Sequence, residues 1–344
     1  MQRPNPDEDP AIPPTGTGEF EAIDRLRVRF EAAARVRFPE GEIPPPGDTW
    51  IGDDAAVVTP GGSVALVMAT DLVVAGVHVD LGLCSLDDVG YKALMVTVSD
   101  LAAMGARPDY ALVSVAAPRG TDLEALGEGL AEAAAETACV VVGGDLSEGS
   151  VLVVSTAVTG TFRPGPSPVA PAGPLLRSGA RPGDHLFVTG PLGGSAAGLR
   201  LLRRPPGDRM DAGGPTVVEY LARAHRRPRA RLDEGEVARL QGASAAIDVS
   251  DGLVADVGHL GRASGVGLRL SEIPAVEGAT VEEALHGGEE YELVIATPDP
   301  GRLVAAFESA GLRTPIPIGR CTDRPDESTV NGEPTPPGGW LHRF

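Results

Sequence analysis

Residues 91–106 constrain the fold of this chain more than any other segment. They read Tyr-Lys-Ala-Leu-Met-Val-Thr-Val-Ser-Asp-Leu-Ala-Ala-Met-Gly-Ala, and Lys92 and Asp100 are the only charged residues among them. Such a segment is typical of the interior of a folded domain. A carboxylate is costly to bury there unless it caps a helix, pairs with a cation or binds a metal. Two interpretations therefore stay open: Ser99 or Asp100 caps a short helical turn that ends at Gly105, or Asp100 is a metal ligand.

Lone aspartates recur in similar small-residue or turn-like settings elsewhere in the chain. They are Asp53, Asp54, Asp71, Asp145, Asp248 and Asp251. Predicted strands end close to Asp71 and at Asp248, and strand ends are where α/β sheets place ligands. Carboxylate oxygens are the ligands that hard cations such as Mg²⁺ prefer. The sequence therefore predicts that several of these carboxylates converge on a cation site.

The length of 344 residues favours two domains. Residues 164–174 are rich in proline and form the predicted linker between them. We expect a disordered tail over residues 1–18, an N-terminal domain over 19–163 and a C-terminal domain over 175–344. Strand-like and helix-like stretches alternate in both halves, which indicates the α/β (α+β) class.

The charge balance and the cysteines limit the partners and the compartment. The formal net charge is −19, so nucleic acid and anionic membranes are poor partners. Three widely spaced cysteines do not form a metal-binding pattern and suggest a reduced, cytoplasmic protein. The acidic, proline-rich N-terminus is unlike a signal peptide.

Several phosphate-handling motifs are excluded because the chain has a single lysine. Lys92 follows Tyr91, so the Gly-Lys-Ser/Thr of a P-loop is missing, as are the strand lysine and HRD loop of protein kinases. Residues 190–195, Gly-Pro-Leu-Gly-Gly-Ser, follow a predicted strand, and they form either a phosphate cradle or an ordinary tight turn. A site rich in carboxylates and poor in lysine suits phosphate chemistry assisted by several Mg²⁺ ions.

Short motifs from residue 18 to residue 340 together resemble one family. They are residues 52–56 (Gly-Asp-Asp-Ala-Ala), 70–71 (Thr-Asp), 76–78 (Gly-Val-His), 92–94 (Lys-Ala-Leu), 99–106, 143–145 (Gly-Gly-Asp), 177–180 (Arg-Ser-Gly-Ala), 248–252 (Asp-Val-Ser-Asp-Gly) and 287–289 (Gly-Gly-Glu). The order and combination resemble the thiamine-monophosphate kinases, within the superfamily typified by aminoimidazole ribonucleotide synthetase. The resemblance implies a two-domain fold of that superfamily, with an N-terminal mixed-sheet domain that forms a homodimer and a C-terminal α/β domain.

The resemblance also implies an activity and a set of site residues. The activity is ATP-dependent phosphorylation of thiamine phosphate to thiamine diphosphate, with ATP as co-substrate and several Mg²⁺ ions. The implied metal ligands are Asp54, Ala69, Thr70, Asp71, Asp100, Asp145, Asp248 and Asp251. The implied ATP contacts are Gly144, Asp145, Arg177 and Ser250, and the implied thiamine phosphate contacts are His78, Glu289 and Trp340. No general base is expected, because the acceptor is itself an anionic phosphate.

Other interpretations stay open at this point. Taken singly, His78 is an ordinary strand histidine, Glu289 the start of a strand, Trp340 a hydrophobic anchor and Arg177 a solvated arginine. Asp53 is interpreted as a turn residue outside the site, and Lys92 is given no role. Two other functions remain as alternatives: another ATP-dependent enzyme of the superfamily, such as aminoimidazole ribonucleotide synthetase, or a non-catalytic protein that binds nucleotide or cations.

The sequence departs from the family pattern at several positions. Residues 146–148, Leu-Ser-Glu, stand where the family usually has two threonines and an arginine. Gly194 replaces a common aspartate, Glu290 replaces the usual aspartate, and Val79 replaces an aromatic residue. These changes fall beside implied ATP and acceptor contacts, so we expect differences in those pockets.

Overall fold

The computed structural model describes residues 19–36, 39–40, 42–60, 64–164, 173–208, 214–335 and 338–340. The chain divides into two compact units, Met1–Pro46 with Leu341–Phe344, and Gly47–Trp340. The predicted tail over residues 1–18 lies outside the described residues, as do residues 165–172 of the predicted linker. In the first unit, helix α1 spans Glu19–Ala34 and leaves Val28 and Phe30 exposed.

The second unit begins with a mixed five-stranded sheet in the order β1-β2-β5-β3-β4. Only β3 and β4 are parallel in it. Two helices, α2 and α3, complete this region, and valines of α2 pack against valines of the sheet. The elements are β1 (Ala56–Val58), β2 (Leu66–Val74), α2 (Leu86–Ala103), β3 (Arg107–Ala117), α3 (Leu123–Thr137), β4 (Val140–Glu148) and β5 (Val153–Thr161).

A second sheet of seven strands has the order β12-β11-β8-β10-β6-β9-β7. Its neighbours are antiparallel except for the parallel pair β8 and β11. The strands are β6 (His185–Val188), β7 (Ala245–Asp248), β8 (Gly267–Leu270), β9 (Leu293–Thr297), β10 (Ile316–Thr322), β11 (Ser328–Val330) and β12 (Glu333–Pro334). The helices are α4 (Gly194–Leu202), α5 (Pro215–Arg226), α6 (Leu232–Leu240), α7 (Leu253–Ser264), α8 (Val281–His286) and α9 (Pro300–Ser309). Mixed sheets combined with helices confirm the predicted fold class.

Helix α2 is the central element of this unit, as residues 91–106 predicted. Most of its side chains are buried, Leu94, Val98 and Leu101 completely. Gly90 and Gly129 let α2 and α3 approach closely, because a Cβ at either would lie about 2 Å from a carbonyl oxygen of the other helix. The largest buried cluster joins α2 to Ile295 of β9, so the two sheets share a core. We propose that the domain boundary lies at 164–174, between the two sheets.

The capping interpretation of Ser99 and Asp100 is wrong. Helix α2 begins after Ser85, and the Asp88 carboxylate accepts a hydrogen bond from the Ser85 N–H at 3.3 Å. Ser99 and Asp100 lie in the last two turns of α2, where side chains cannot cap a helix N-terminus. None of the helices in the described part of the chain has the length and apolar character that a bilayer span requires.

Candidate active site

Three carboxylates from distant parts of the chain meet beside the C-terminal end of α2. Asp54 lies in the loop before β1, Asp100 in the last turn of α2 and Asp248 at the end of β7. Each offers a carboxylate oxygen, and these three oxygens lie within 4.8 Å of one another. The structure thus brings together three of the aspartates that the sequence singled out.

The electrostatics of this group favour a bound cation. Burial, followed by the charges of Asp248 and Asp71, raises the pKa of the Asp100 carboxyl well above its usual value. Burial and the charge of Asp54 likewise raise the pKa of Asp248. In addition, Asp54 Oδ2 is buried without a hydrogen-bond partner among the described residues. Crowded carboxylates with an unsatisfied oxygen fit a hard cation such as Mg²⁺.

Arg177 supplies positive charge to the group. It lies in a short 3₁₀ turn (Arg177–Gly179), and its Nη2 donates a short hydrogen bond to Asp54 Oδ1. Burial alone would lower the pKa of this guanidinium, but the charges of Asp54 and Asp53 outweigh it and raise the pKa. Arg177 Nε is buried and unpaired among the described residues. One arginine against three carboxyl groups leaves the site with an excess of acidic groups.

Asp53 contributes through the backbone. Its carboxylate accepts hydrogen bonds from the Arg177 N–H at 3.1 Å and the Asp54 N–H at 3.0 Å. Burial, followed by the charge of Asp54, raises the pKa of Asp53 to about 7. Asp53 therefore joins the Arg177 turn to the loop that carries Asp54, which is the structural role that a turn residue would have.

The strand β2 presents Thr70 and Asp71 to opposite faces of the first sheet. Asp71 pairs across the sheet with Thr156, which is buried on the inner face, the face covered by α2. The charge of Asp71 reaches the group, since it helps to raise the pKa of Asp100. The side chain of Thr70 lies on the outer face, and its hydroxyl donates to the Thr156 carbonyl at 3.0 Å. Ala69, whose carbonyl is an implied ligand, is half-buried.

Gly144 and Asp145 lie apart from the group within one chain. Cross-strand pairs join Asp71 to Thr156, Thr156 to Val113 and Val113 to Gly144. Three strand spacings separate Asp71 from Gly144, a distance of about 14 Å. Asp145 faces the outer face, and all nine residues of β4 are exposed. Gly144 also has a packing reason to be glycine, because a Cβ there would lie 1.6 Å from the Val113 carbonyl oxygen.

The loop that follows β7 is held by residues that the sequence analysis did not assign to the site. Asp256 of α7 accepts hydrogen bonds from the N–H groups of Ser250, Asp251 and Gly252, each at 3.1 Å. Ser99 donates to Asp248 Oδ2 at 2.6 Å. The sequence could have indicated Asp256, because it is an acidic residue in the first turn of the helix that follows residues 248–252. Ser99 has no comparable signal, because its contact joins distant segments.

Two of the implied acceptor residues are tied to this same loop. The N–H of Glu289 donates to the Ser250 carbonyl at 2.7 Å, and the N–H of Trp340 donates to the Asp251 carbonyl at 3.0 Å. Trp340 is 54% exposed. His78 lies in the turn after β2, where its Nδ1 accepts a hydrogen bond from the Val74 N–H at 3.0 Å. Lys92 connects His78 and Glu289, with its Nζ 2.6 Å from Glu289 Oε1 and 3.4 Å from the His78 carbonyl.

The glycine loop at residues 190–195 is occupied by a protein carboxylate. Glu290 accepts hydrogen bonds from the N–H groups of Gly194 at 3.1 Å and Ser195 at 2.9 Å. Burial raises the pKa of Glu290 to about 8. Because the first N–H groups of α4 are already bonded, the structure favours the ordinary turn over the phosphate cradle.

Comparison with known proteins defines the class of protein first. The model of the AIR synthase related protein N-terminal domain matches residues 52–162, and that of the C-terminal domain matches residues 181–331. The chain is therefore an AIR synthase related protein, with both domains of that class.

Individual relatives narrow the assignment. The thiamine-monophosphate kinase of Salmonella typhimurium is 38% identical over 301 residues, which cover 83% of this chain and 84% of the relative. That of Mycobacterium tuberculosis is 36% identical over 334 residues, 94% of this chain and 91% of the relative. The structure of AaThiL complexed with AMPPCP and TMP is 30% identical, with a TM-score of 0.73, and the match covers 94% of this chain and 97% of that one. The chain belongs to the thiamine-monophosphate kinase family and is an enzyme of the kinase class.

Proposed function

We propose that this chain transfers the γ-phosphate of ATP to thiamine phosphate and so makes thiamine diphosphate. The observation that carries the proposal is the group of Asp54, Asp100 and Asp248 with Arg177 against it. Glu289 and Trp340 are tied to the adjacent loop, which supports an acceptor pocket beside the carboxylates. The similar AaThiL was solved with AMPPCP and TMP, which supports the same pair of substrates here.

The residues present fit several Mg²⁺ ions. Asp54, Asp100 and Asp248 would hold the first, since their oxygens already converge and Asp54 Oδ2 lacks a partner among the described residues. The further proposed ligands are Ala69, Asp71 and Asp251. Thr70 and Asp145 lie on the outer face of the first sheet and would hold an ion only together with a second copy of the chain. When bound, the ions offset the repulsion between the two phosphate chains, which is about 4 kcal/mol for each pair of charges 4 Å apart at an effective dielectric of 20.

Arg177 and Ser250 are the proposed contacts for the transferred phosphate and ATP. Asp54 accepts from the guanidinium of Arg177 and Asp53 from its backbone N–H, so the side chain is preorganised. Its buried Nε lacks a partner among the described residues and is free to donate to a phosphate oxygen. Preorganised donors of this kind stabilise the charge that develops during transfer.

The transfer requires no general base. The second ionisation of a phosphate monoester lies near pH 6, so the thiamine phosphate oxygen is already a nucleophile at neutral pH. That oxygen forms a bond to the γ-phosphorus of ATP while the bond from this phosphorus to the β–γ bridging oxygen breaks, and ADP leaves. The role of the chain is to align and shield the two phosphates.

The same proposal includes a homodimer formed through the outer face of the first sheet. Met68, Leu72, Tyr110, Leu112 and Val140 share that face and are each at least 44% exposed. An exposed apolar surface of this kind marks an interaction site. A second copy on this face would also bring its Asp145 towards Thr70, from which Asp145 of the same chain is separated. Gly144 and Asp145 would then contact ATP bound mainly by the partner.

We place the protein in the cytoplasm as part of the same proposal. Cys84, Cys139 and Cys321 are all buried and free. Free thiols in these numbers are typical of reducing compartments.

An assay with purified protein, ATP, Mg²⁺ and thiamine phosphate tests the function directly. We expect thiamine diphosphate to form in proportion to ADP, and unphosphorylated thiamine to be a poor acceptor. The rate should keep rising with free Mg²⁺ after all ATP is complexed, because the proposed site holds ions beyond the one that ATP carries. Failure to form thiamine diphosphate would refute the proposal. A rate that saturates with stoichiometric MgATP would refute the need for further ions.

A further inference from the structure

Lys92 is the only lysine of the chain, and it is 1% exposed within α2. An ammonium group is costly to bury unless its three N–H donors are satisfied. The structure provides three acceptors: Glu289 Oε1 at 2.6 Å, and the carbonyl oxygens of His78 and His225 at 3.4 Å each. The ammonium is therefore fully occupied and shielded, which excludes a direct contact with a bound substrate.

The three acceptors come from separate segments. His78 lies in the turn after β2, Glu289 in the Gly-Gly-Glu segment before β9, and His225 near the end of α5. Two of them are residues that we assign to thiamine phosphate. Lys92 also precedes Asp100 by eight residues on the same helix, a rise of about 12 Å. One rigid helix thus sets the distance between the metal ligand Asp100 and the contacts that Lys92 makes with His78 and Glu289.

The backbone conformation of Glu289 has to be maintained by contacts from neighbouring residues. Its φ of +62° lies in the left-handed region, which residues other than glycine rarely adopt. Surrounding contacts must therefore maintain this conformation. Its Oε2 lies 3.7 Å from His225 Nδ1. Burial, followed by the charge of Lys92, lowers the pKa of His225 to about 4, so this histidine is neutral at neutral pH. The positive partner that holds the Glu289 side chain is Lys92.

We infer that Lys92 is a positioning residue for the acceptor, which holds Glu289 and the His78 turn at a fixed separation without touching the substrate. The inference rests on the proposed function, because that proposal assigns Glu289 and His78 to thiamine phosphate. Lys92 acts on the acceptor side of the site and not on ATP.

The test is the steady-state kinetics of Lys92→Met, a change that keeps an unbranched side chain, one atom shorter, and removes the charge. We expect KM for thiamine phosphate to rise about tenfold, the middle of the range for coupled residues in contact. KM for ATP and kcat should stay within about twofold, because the metal ligands and Arg177 are unchanged. The matched control is Arg107→Met, which breaks another partly buried ion pair, with Glu236 at 2.7 Å, far from the acceptor residues. It should lower stability and leave both KM values unchanged.

A double variant shows whether Lys92 acts through Glu289. In the Glu289→Gly background, which removes the carboxylate and suits the positive φ of this position, Lys92→Met should raise KM for thiamine phosphate by a smaller factor than in the wild-type background, because the contact with Glu289 is already lost. If Lys92→Met does not fold, Lys92→Arg, which keeps the charge but alters the geometry of the contact, takes its place in both the single and the double variant. Additive effects, an unchanged KM in the single variant, or equal rises in both KM values would overturn the inference. A wild-type protein without kinase activity would instead overturn the proposed function.

Discussion

The backbone N–H of Gly194 donates to the carboxylate of Glu290 at 3.1 Å, so two positions at which this chain departs from the family pattern are in direct contact. A Cβ at position 194 would lie 3.7 Å from Glu290 Oε2 and 3.2 Å from the Ala224 Cβ. An aspartate at 194 would place a second carboxyl group beside Glu290 in a buried position. The longer glutamate and the glycine are therefore a compatible pair.

Gly194→Asp should destabilise the fold by about 1–3 kcal/mol, the usual cost of burying an unpaired polar group. The favourable interaction of an acid with a helix N-terminus offsets only about 0.3–1 kcal/mol of this. Gly194→Ala is the control, because it adds the Cβ without the carboxyl group and should cost less. Urea unfolding midpoints measure both variants. Equal losses in the two variants would show that space, and not the second carboxyl group, limits the site.

The stability of the protein without Mg²⁺ should fall as the pH rises from about 6.5 to 9. The fold raises the pKa of Asp53 to about 7 and of Glu290 to about 8, from ordinary values of 3.8 and 4.5. A carboxyl group with a raised pKa stabilises the fold while it is protonated, and this contribution is lost as the pH rises through the raised value. Below pH 6.5 the lowered pKa values of His225 and His259 act in the opposite direction.

Added Mg²⁺ should raise Tm more at pH 8.5 than at pH 6.5, because the ions bind the deprotonated carboxylates. Thermal melts with and without Mg²⁺ at the two pH values provide the measurement. A shift of the same size at both pH values would argue that the ions bind away from the buried group.

Asp100→Asn should lower kcat by at least about a hundredfold and leave the fold intact. Burial and neighbouring negative charges already disfavour the ionised Asp100. Without Mg²⁺, the neutral amide should therefore keep Tm or raise it. Turnover and Tm are measured on the same preparation, with the exposed Asp323→Asn as the control that should change neither. An active Asp100→Asn variant would remove Asp100 from the proposed ligands.

Two inactive variants should restore activity when they are mixed, if the site is shared between copies. Asp71 and Asp145 lie on opposite faces of the sheet. The variants Asp71→Asn and Asp145→Asn should each be inactive alone. After unfolding and refolding together, random pairing gives half mixed dimers with one intact site each, or about a quarter of the wild-type activity. Mixing without refolding is the control. No recovery in protein that remains dimeric would place Asp145 outside the partner's site.

Trp340→Ala should raise KM for thiamine phosphate about 2- to 30-fold, which corresponds to a stacking or cation–π contact of about 0.5–2 kcal/mol. The hydrogen bond that places this segment is made by the backbone N–H of Trp340, so the substitution retains it. The contact exists before and during transfer, and kcat should change little. KM for ATP serves as the internal reference. An equal rise in both KM values would identify Trp340 as a structural anchor.

Local patterns predicted those features that depend on one segment. The apolar run at residues 91–106 predicted a buried element, and the alternation of strand-like and helix-like stretches predicted the fold class. The convergence of Asp54, Asp100 and Asp248 was inferred from chemistry, because a carboxylate is costly to bury among small apolar residues unless it has a partner such as a cation.

Other features depend on contacts between distant segments and left little trace in the sequence. The start of α2 after Ser85 was missed because the apolar run begins about one and a half turns later. Lys92 was given no role, since its partners His78 and Glu289 are remote in sequence and meet only in the folded chain. The assignment of Asp145 to the metal site came from resemblance, and the register of the sheet shows that a single chain keeps it apart from Asp71.

The burial of Lys92 has a practical consequence for chemical modification. The chain has one ε-amino group, and in the native fold it is 1% exposed. An amine-reactive reagent should therefore modify the ε-amino group only when α2 leaves the core. The extent of lysine acylation with time then reports the opening of this helix, without a spectroscopic label or an engineered probe.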